Sequence, residues 1–297
     1  MADQLTFDDP RTRYPKLHPR KQQQDGTGLQ SEMKPVPDLG ESTYRGTGRL
    51  TGRKALITGG DSGIGGATAI AFAREGADVV ISYLPAEQSD ADHVLEQIAD
   101  AGVHGFGIPA DLTDAAACRS LVTSAVEQLG GLDAIVLVAG KQVSVIDLAD
   151  LPDEQFVQTY EINVFAAFRI IQAALPHLRP GATIVTTASL ETYQASEERV
   201  DYASTKAAIN NLSKGIAQQL APKGIRVNTV APGPTWTALQ ISGGIPVEEE
   251  KGYGEETPLG RAGQPAELAP VYVFLSSPES SFVVGATYAV TGGMPTP

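Results

Sequence analysis

Apolar runs alternate with helical patterns along the chain from residue 54 onward. The runs are continuous and do not alternate with polar residues, so both faces of the predicted sheet are covered. The predicted strands span residues 54–58, 78–83, 104–110, 134–140, 182–189, 225–232 and 285–290, and the predicted helices span residues 63–75, 86–101, 114–129, 153–178, 201–221 and 265–276. This order predicts the α/β class: a single doubly wound domain with a parallel seven-stranded sheet and helices on both faces. Its ligand is expected beyond the carboxyl ends of the strands.

The chain before residue 49 has a different texture. Residues 1–48 are polar, rich in Pro, Gly and Gln, and without a hydrophobic period, which predicts an irregular N-terminal extension before a catalytic domain over residues 49–297. Residues 1–54 carry a charge of +3 and the remainder −16, within a total of −13. A basic arm on an acidic body can indicate nucleic-acid binding, but this arm has no aromatic platform. We therefore expect no nucleic acid, and an arm that packs on its own body or on a neighbouring subunit.

Composition narrows the class of protein further. No apolar run approaches the roughly 20 residues of a membrane span, and the N-terminus lacks a secretory signal. We expect a cytoplasmic protein without membrane association. The single cysteine, Cys118, and four dispersed histidines predict neither disulfides nor a metal site.

A glycine-rich turn directly follows the first predicted strand and opens the first helix. Gly59 suits a tight turn, Gly63 lets the backbone approach a phosphate, and Gly65 permits close packing of helix on strand. The N-terminus of the helix offers free N–H groups to a pyrophosphate. In this strand–turn–helix context the G-x-x-x-G-x-G spacing predicts a Rossmann-type dinucleotide site. The predicted contacts in the turn are Gly59, Asp61, Ser62, Gly63, Ile64 and Gly65.

The choice between NAD and NADP depends on the end of the second strand, at Tyr83 and Leu84. No Lys or Arg occurs between Arg74 and Arg119, and acidic residues follow at positions 87, 90 and 92. A 2′-phosphate would meet no local positive charge, which favours NAD. NADP stays open, because a basic residue from a distant segment would reverse the preference.

Tyr202 and Lys206 lie four residues apart at the start of a predicted helix, on one face. A neighbouring ammonium lowers the pKa of a tyrosine toward neutrality, which suits proton transfer. Alone, such a pair is more often two surface neighbours. Ser189 ends the fifth strand, where its hydroxyl can stabilise a substrate carbonyl. Asn163 lies within a predicted helix, where asparagine is unfavourable. A buried amide there can interrupt the helical hydrogen bonding and hold a water, and a solvent-facing side chain is an equal alternative.

Taken together, these motifs resemble the short-chain dehydrogenase/reductase family over about residues 50–293. The resemblance rests on Thr58–Gly65, Asp111, Ala139-Gly140, Asn163, Ser189, Tyr202–Lys206, Asn228 and Pro232-Gly233. The extension and the GRKALITGGDSGIG block resemble the bacterial, N-terminally extended, YghA-like subgroup.

The resemblance implies a role for each catalytic residue. Tyr202 is the general acid/base, and Lys206 binds the nicotinamide ribose and lowers the pKa of Tyr202. Ser189 orients the carbonyl, and Asn163 completes a proton relay. The further implied cofactor contacts are Asp111 and Leu112 at the adenine, Ala139 and Gly140 after strand four, and Pro232, Gly233, Thr235 and Thr237 at the nicotinamide end. Such proteins are usually homotetramers.

One block departs from the family pattern. Leu137-Val138-Ala139-Gly140 stands where the family usually has Asn-Asn-Ala-Gly, so side-chain hydrogen bonds that brace the sheet are lost.

Substrate contacts are expected from the segments beyond strands four, five and six. The candidates are Ser189, Gln142, Val143, Glu191 to Gln194, Trp236 and a glycine-rich lid that runs to about Arg261. Tyr193 and Trp236 can form an apolar wall, although aromatic residues near the edge of a core more often serve packing alone. These segments contain few basic residues, namely Lys141, Lys251 and Arg261. The scarcity of positive charge disfavours a strongly anionic substrate.

The leading hypothesis is an NAD(P)-dependent oxidoreductase of the EC 1.1.1 type that moves a hydride between a nicotinamide and an aldehyde, ketone or alcohol. A catalytically silent NAD(P)-binding sensor or scaffold is the alternative, although a sensor has no need of the four catalytic residues. Sugar-nucleotide epimerisation is disfavoured, because only 91 residues follow Lys206.

Overall fold

The computed structural model describes residues 3–19, 21–246 and 252–296. Seven strands alternate with seven α-helices in these ranges. The strands are β1 (Lys54–Thr58), β2 (Asp78–Tyr83), β3 (Gly105–Pro109), β4 (Ala134–Leu137), β5 (Thr183–Thr187), β6 (Arg226–Pro232) and β7 (Thr287–Val290). The helices are α1 (Gly63–Arg74), α2 (Gln88–Asp100), α3 (Ala115–Leu129), α4 (Asp153–Tyr160), α5 (Ala166–Ala174), α6 (Val200–Leu220) and α7 (Pro265–Ser276).

All seven strands form one parallel sheet in the order β3-β2-β1-β4-β5-β6-β7. The order reverses between β1 and β4, which is where a doubly wound sheet opens a crevice for a ligand. The predicted fold class is confirmed.

Each face of the sheet is covered by helices. Ile57 of β1 packs on one side in a core shared with α1, α2 and α7, whereas its neighbour Leu56 packs on the other side with α3, α5 and α6. Both side chains are fully buried. Two covered faces explain why the strands are continuous apolar runs.

The predicted helix over residues 153–178 is interrupted. A π-helical turn at Glu161–Phe165 separates α4 from α5, and the N–H of Ala166 donates to the carbonyl oxygen of Glu161, five residues earlier. α5 ends at Ala174, just before Pro176, which cannot donate a backbone hydrogen bond. Such a turn is a frequent marker of a functional site in a helix.

Residues 3–19 and 21–48 contain one short 3₁₀ turn, Gln30–Glu32, and otherwise run over the domain without regular structure. The segment is anchored by its own contacts. Met33 is fully buried in a cluster with Trp236, whose ring nitrogen donates to the carbonyl oxygen of Pro35 at 2.8 Å. Arg74 of α1 donates to the backbone of Gly40 at 2.7 Å. Among the described residues, no helix has the length and apolar character that a bilayer crossing demands.

Candidate active site

One cavity of about 640 Å³ opens along the carboxyl ends of the strands. It runs from the end of β2, past the glycine-rich turn, to the start of α6. Its size is that of a typical small-molecule or cofactor site. The cavity brings together every predicted cofactor-binding residue: Gly59, Asp61, Ser62, Gly63, Ile64, Gly65, Tyr83, Leu84, Asp111, Leu112, Ala139, Gly140, Tyr202, Lys206, Pro232, Gly233, Thr235 and Thr237.

The glycine-rich turn has the geometry that its sequence predicts. Gly59 has a φ of +60°, in the left-handed region, and a Cβ on Gly65 would lie 1.8 Å from the carbonyl oxygen of Gly59. No described residue accepts a hydrogen bond from the N–H groups of Ile64 and Gly65 at the start of α1. These two groups are therefore free to bind an anion.

The side-chain hydrogen bonds of the family's two asparagines after β4 are absent here, and Thr58 at the end of β1 bonds to the backbone of that segment. The hydroxyl oxygen of Thr58 accepts hydrogen bonds from the N–H groups of Val138 at 3.1 Å and Ala139 at 3.2 Å. One threonine thus holds the backbone at the cavity floor.

The adenosine end of the cavity is acidic. Asp61 is 3% exposed, and burial, with the neighbouring charge of Glu87, raises the pKa of its carboxyl to about 7. Asp111 is turned toward its own loop, where it accepts from the N–H of Thr113 at 2.9 Å. In the described part of the chain, no Lys or Arg lines this end of the cavity.

The opposite end holds Ser189, Tyr202 and Lys206. Tyr202 and Lys206 lie on one face of α6, with the ammonium 5.3 Å from the centre of the tyrosine ring. The hydroxyl oxygen of Ser189 accepts from the N–H of Glu191 at 3.1 Å, and Ser189 is close enough to the phenol of Tyr202 to lower its pKa. The ammonium of Lys206 donates to the carbonyl oxygen of Thr187 at 3.0 Å.

The predicted lowering of the Tyr202 pKa is wrong for the protein without ligand. Burial raises the pKa of Tyr202 above its usual value, and the nearby carboxylate of Glu191 raises it further, against the hydrogen bond from Ser189. Burial also lowers the pKa of Lys206 to about 8, so its ammonium is itself poorly stabilised. The local environment outweighs the helical pairing from which the prediction was made.

Asn163 lies inside the π-helical turn, buried, as its poor helix propensity suggests. Its amide oxygen accepts from the N–H of Lys141 at 2.8 Å, and its nitrogen donates to the carbonyl oxygen of Lys141 at 3.0 Å and to the hydroxyl of Thr205 at 2.9 Å. The side chain therefore ties the loop after β4 to α6. Its role in a proton relay stays a prediction.

The substrate side differs from expectation at two aromatic residues. Trp236 does not line the cavity: it is fully buried against Leu17 and Met33 of the N-terminal segment. Tyr193 also lies outside the lining, and its hydroxyl accepts from Asn210 at 3.3 Å. The aromatic wall is formed by Tyr253, with the Trp236 ring 6.2 Å behind it.

Gln142 lines the cavity as predicted, and its amide donates to the carbonyl oxygen of Gly244. Gly244 ends a π-helical turn over Gln240–Gly244, part of the predicted lid. Lys251 and the lid residues 247–251 lie outside the described residues. Arg261 is held away from the cavity by Glu267, at 2.7 Å.

Sequence reasoning missed an ion pair at the substrate end. Arg199 and Glu191 both line the cavity, and they pair at 2.8 Å with less than a fifth of each side chain exposed. Oε2 of Glu191 is buried without a hydrogen-bond partner in the described part of the chain. The eight-residue spacing of the pair crosses an irregular segment, so no helical or strand period reveals it.

The comparisons with known proteins agree with this geometry. Residues 59–295 match the family model described as enoyl-(acyl carrier protein) reductase. Together with the sheet order and the cavity, this match shows that the chain belongs to the short-chain dehydrogenase/reductase family, whose members are oxidoreductases with an NAD(P)-binding Rossmann fold. The predicted family is confirmed.

Particular relatives refine the placement. The oxidoreductase YghA of Escherichia coli is 57% identical over 285 residues, which cover 96% of this chain and 97% of the relative. The glucose and ribitol dehydrogenase of Daucus carota is 38% identical, over 93% and 96% of the two chains. A short-chain dehydrogenase from Burkholderia cenocepacia, solved with NADP, is 33% identical with a TM-score of 0.73, over 82% of this chain and 98% of its own. Because the match to YghA covers 96% of this chain, it includes most of the N-terminal segment. The predicted subgroup is therefore confirmed.

Proposed function

We propose that the chain transfers a hydride between a nicotinamide dinucleotide and a carbonyl or alcohol, with Tyr202 as the general acid/base. The observation that carries this proposal is the single cavity in which free N–H groups at the start of α1 lead to Tyr202, Ser189 and Lys206. A bound nicotinamide would supply the hydride acceptor or donor. The turn would hold its diphosphate, and the segment from Pro232 to Thr237 would hold the carboxamide end.

Tyr202 transfers the proton to or from the substrate oxygen. Its raised pKa keeps the phenol protonated near neutral pH, so it is ready to donate to a carbonyl oxygen as hydride arrives at the carbon. Ser189, which lines the cavity beside Tyr202, turns its single O–H toward that oxygen and stabilises the developing charge. In the reverse direction Tyr202 has to lose its proton before it accepts one from the alcohol, and the ammonium of Lys206, 5.3 Å from the centre of its ring, favours the phenolate.

The substrate class follows from Glu191. A buried carboxylate oxygen without a partner costs free energy unless a ligand donates to it. We therefore favour a neutral substrate with a hydroxyl group beside the reacting carbon, such as a hydroxyaldehyde or polyol. The glucose and ribitol dehydrogenase of carrot carries that chemistry in its name. A screen of hydroxylated and plain aldehydes of equal length tests this choice, and equal kcat/KM values for both would exclude it.

The preference between NAD and NADP rests on charge. Glu87 lines the adenosine end, and no described Lys or Arg lines it, so a 2′-phosphate would meet negative charge without a positive partner, which favours NAD. The Burkholderia dehydrogenase binds NADP, so similarity lends that preference no support. Separate titrations with NAD(H) and NADP(H) decide it, and a lower Kd for NADPH would reverse the preference.

The test of the central proposal is the Tyr202→Phe variant. We expect turnover of every carbonyl to fall by about a thousandfold or more, the upper part of what one general acid/base contributes, with the Kd for the cofactor unchanged. Tyr288→Phe is the matched control, because Tyr288 lies on β7 outside the cavity lining. Full turnover by Tyr202→Phe would refute the assigned role. Binding of dinucleotide without turnover in the unaltered protein would favour the sensor alternative.

Assembly and location are separate proposals that follow from the family. We propose a cytoplasmic homotetramer. Light scattering of the full chain measures the assembly, and a monomer at micromolar concentration would contradict it.

A further inference from the structure

The N-terminal segment reaches the cofactor cavity itself. Gly26 and Thr27 lie on the cavity lining, beside the residues of the glycine-rich turn. They belong to a loop over residues 24–31, which we call the clasp loop. A segment that only covered the outside of the domain would not line this cavity.

The clasp loop is closed on itself by Gln24. The side-chain amide of Gln24 donates to the carbonyl oxygen of Leu29 at 3.0 Å and accepts from the N–H of Leu29 at 2.6 Å. Gly28 between them has a φ of +75°, a conformation that favours glycine. The loop thus has a defined shape and is not a loose tail.

One end of the clasp loop is fixed to the cofactor turn. The side-chain oxygen of Gln30, a buried residue, accepts from the N–H of Gly63 at 2.8 Å. The carboxylate of Asp90 on α2 accepts from the backbone N–H groups of Gln30 at 2.5 Å and Ser31 at 3.1 Å. Gln30 therefore satisfies the first N–H group of α1 from behind and leaves those of Ile64 and Gly65 to face the cavity.

The other end of the clasp loop is fixed to the segment after β6. The N–H of Gln24 donates to the carbonyl oxygen of Ile241 at 2.9 Å. A Cβ on Gly28 would lie 3.3 Å from Cβ of Ser242 and 3.4 Å from the carbonyl oxygen of Ala238. Ala238 and Ser242 line the cavity from the substrate side. The loop therefore spans the gap between the two walls that face each other across the cavity.

We propose that the clasp loop is part of the cofactor-binding site: it bridges the two walls over the diphosphate of the dinucleotide and slows its release, while Gln30 positions the turn. This inference rests on the proposed function, because it takes the cavity to bind a nicotinamide dinucleotide. Thr27 and Gly26 supply the contact at the cavity mouth, and Gln30 is a positioning residue that acts through Gly63.

The first test replaces Gln30. Gln30→Ala should raise the Kd and KM for the cofactor by about five- to tenfold, the effect of one lost buried hydrogen bond. The kcat and the KM for the carbonyl should stay within about twofold. Gln4→Ala is the control, because the side-chain amide of Gln4 also bonds to the backbone of a distant residue, Arg45, at 2.6 and 2.8 Å, but away from the cavity.

The second test places a charge at the cavity mouth. Thr27→Glu should weaken cofactor binding by about fivefold more than Thr27→Gln, because only the carboxylate repels a diphosphate, and added salt should shrink the difference. Stopped-flow displacement of reduced cofactor should show the change in the release rate.

The outcomes separate the two proposals. If the unaltered protein binds no nicotinamide dinucleotide, the proposed function fails. If it binds and turns over while Gln30→Ala and both Thr27 variants keep its Kd and release rate, the clasp loop has no part in the site and this inference is overturned. A thermal melt of each variant identifies unfolding, and a matching loss by Gln4→Ala would also overturn the inference.

Discussion

The buried carboxylate of Glu75 anchors the N-terminal segment to the domain. Glu75 follows α1 and is fully buried. It accepts from the hydroxyl of Tyr44 at 2.8 Å, from the N–H of Thr47 at 2.8 Å and from the guanidinium of Arg49 at 2.7 Å. Burial alone would raise its pKa, but these hydrogen bonds and the charge of Arg49 lower the pKa of Glu75 to about 2.

Replacing Glu75 with Gln removes the charge and keeps the shape. The pKa of Glu75 falls from 4.5 to about 2 on folding, which corresponds to about 3 kcal/mol of stability at neutral pH. We expect Glu75→Gln to lose most of that, a fall in Tm of roughly 5–10 °C. Because the folded pKa is the lower one, the stabilisation is complete above about 4.5 and is lost as the pH falls toward 2.

Thermal melts of the full chain across this pH range measure the effect. The gap in Tm between the unaltered protein and Glu75→Gln should be constant near neutrality and should narrow below about pH 4.5. Glu127→Gln, on an exposed position of α3, is the matched control and should leave Tm within about 1 °C. A Glu75→Gln loss no larger than that of the control, or one that does not change with pH, would refute the reasoning.

Three further predictions concern the cavity. Burial lowers the pKa of Lys206 to about 8, so fluorescence titration should show weaker cofactor binding as the pH rises through 8 and the ammonium is lost. The Lys206→Arg variant should bind the cofactor independently of pH over that range. A flat pH profile for the unaltered protein would contradict this prediction. Burial and the charge of Glu87 raise the pKa of Asp61 to about 7, so the charged form of Asp61 is disfavoured in the folded state. Asp61→Asn should therefore raise Tm more above pH 7 than near pH 4. An equal change in Tm at both pH values would count against this prediction. Gly65→Ala should destabilise the fold by about 1–3 kcal/mol in urea unfolding because its Cβ would overlap the Gly59 carbonyl, whereas Gly215→Ala in the open interior of α6 should stabilise it by about 0.5–1 kcal/mol; equal effects would exclude the overlap.

The sheet and most of its helices are predictable because these elements follow from local sequence, whereas the predicted helix over residues 153–178 is divided into α4 and α5. β4 is a continuous apolar run because both of its faces are covered, and the glycine-rich turn lies between a strand and a helix. The site followed from the same logic, since the ends of parallel strands meet at one edge. Asn163 was marked by its poor helix propensity, and the structure has a π-helical turn at that residue.

The partners of Trp236 could not be predicted from local pattern. Its ring lies next to the cofactor segment in sequence, but its hydrogen-bond acceptor is the carbonyl of Pro35, about 200 residues earlier. The position of Tyr253 was hidden for a similar reason, because it stands between two glycines in a loop without a period. Burial and the carboxylate of Glu191 raise the pKa of Tyr202. Neither effect can be inferred from the spacing of Tyr202 and Lys206.

The central proposal is that one cavity holds the nicotinamide and the carbonyl together, with Tyr202 beside the reacting oxygen. Its most direct measurement uses reduced cofactor that carries deuterium at the reacting carbon, with mass analysis of the alcohol formed. We predict that deuterium passes from one face of the cofactor to the product carbon with the unaltered protein, and that Tyr202→Phe binds the cofactor equally well but forms no labelled alcohol. Product without deuterium, or undiminished labelling by Tyr202→Phe, would contradict the account.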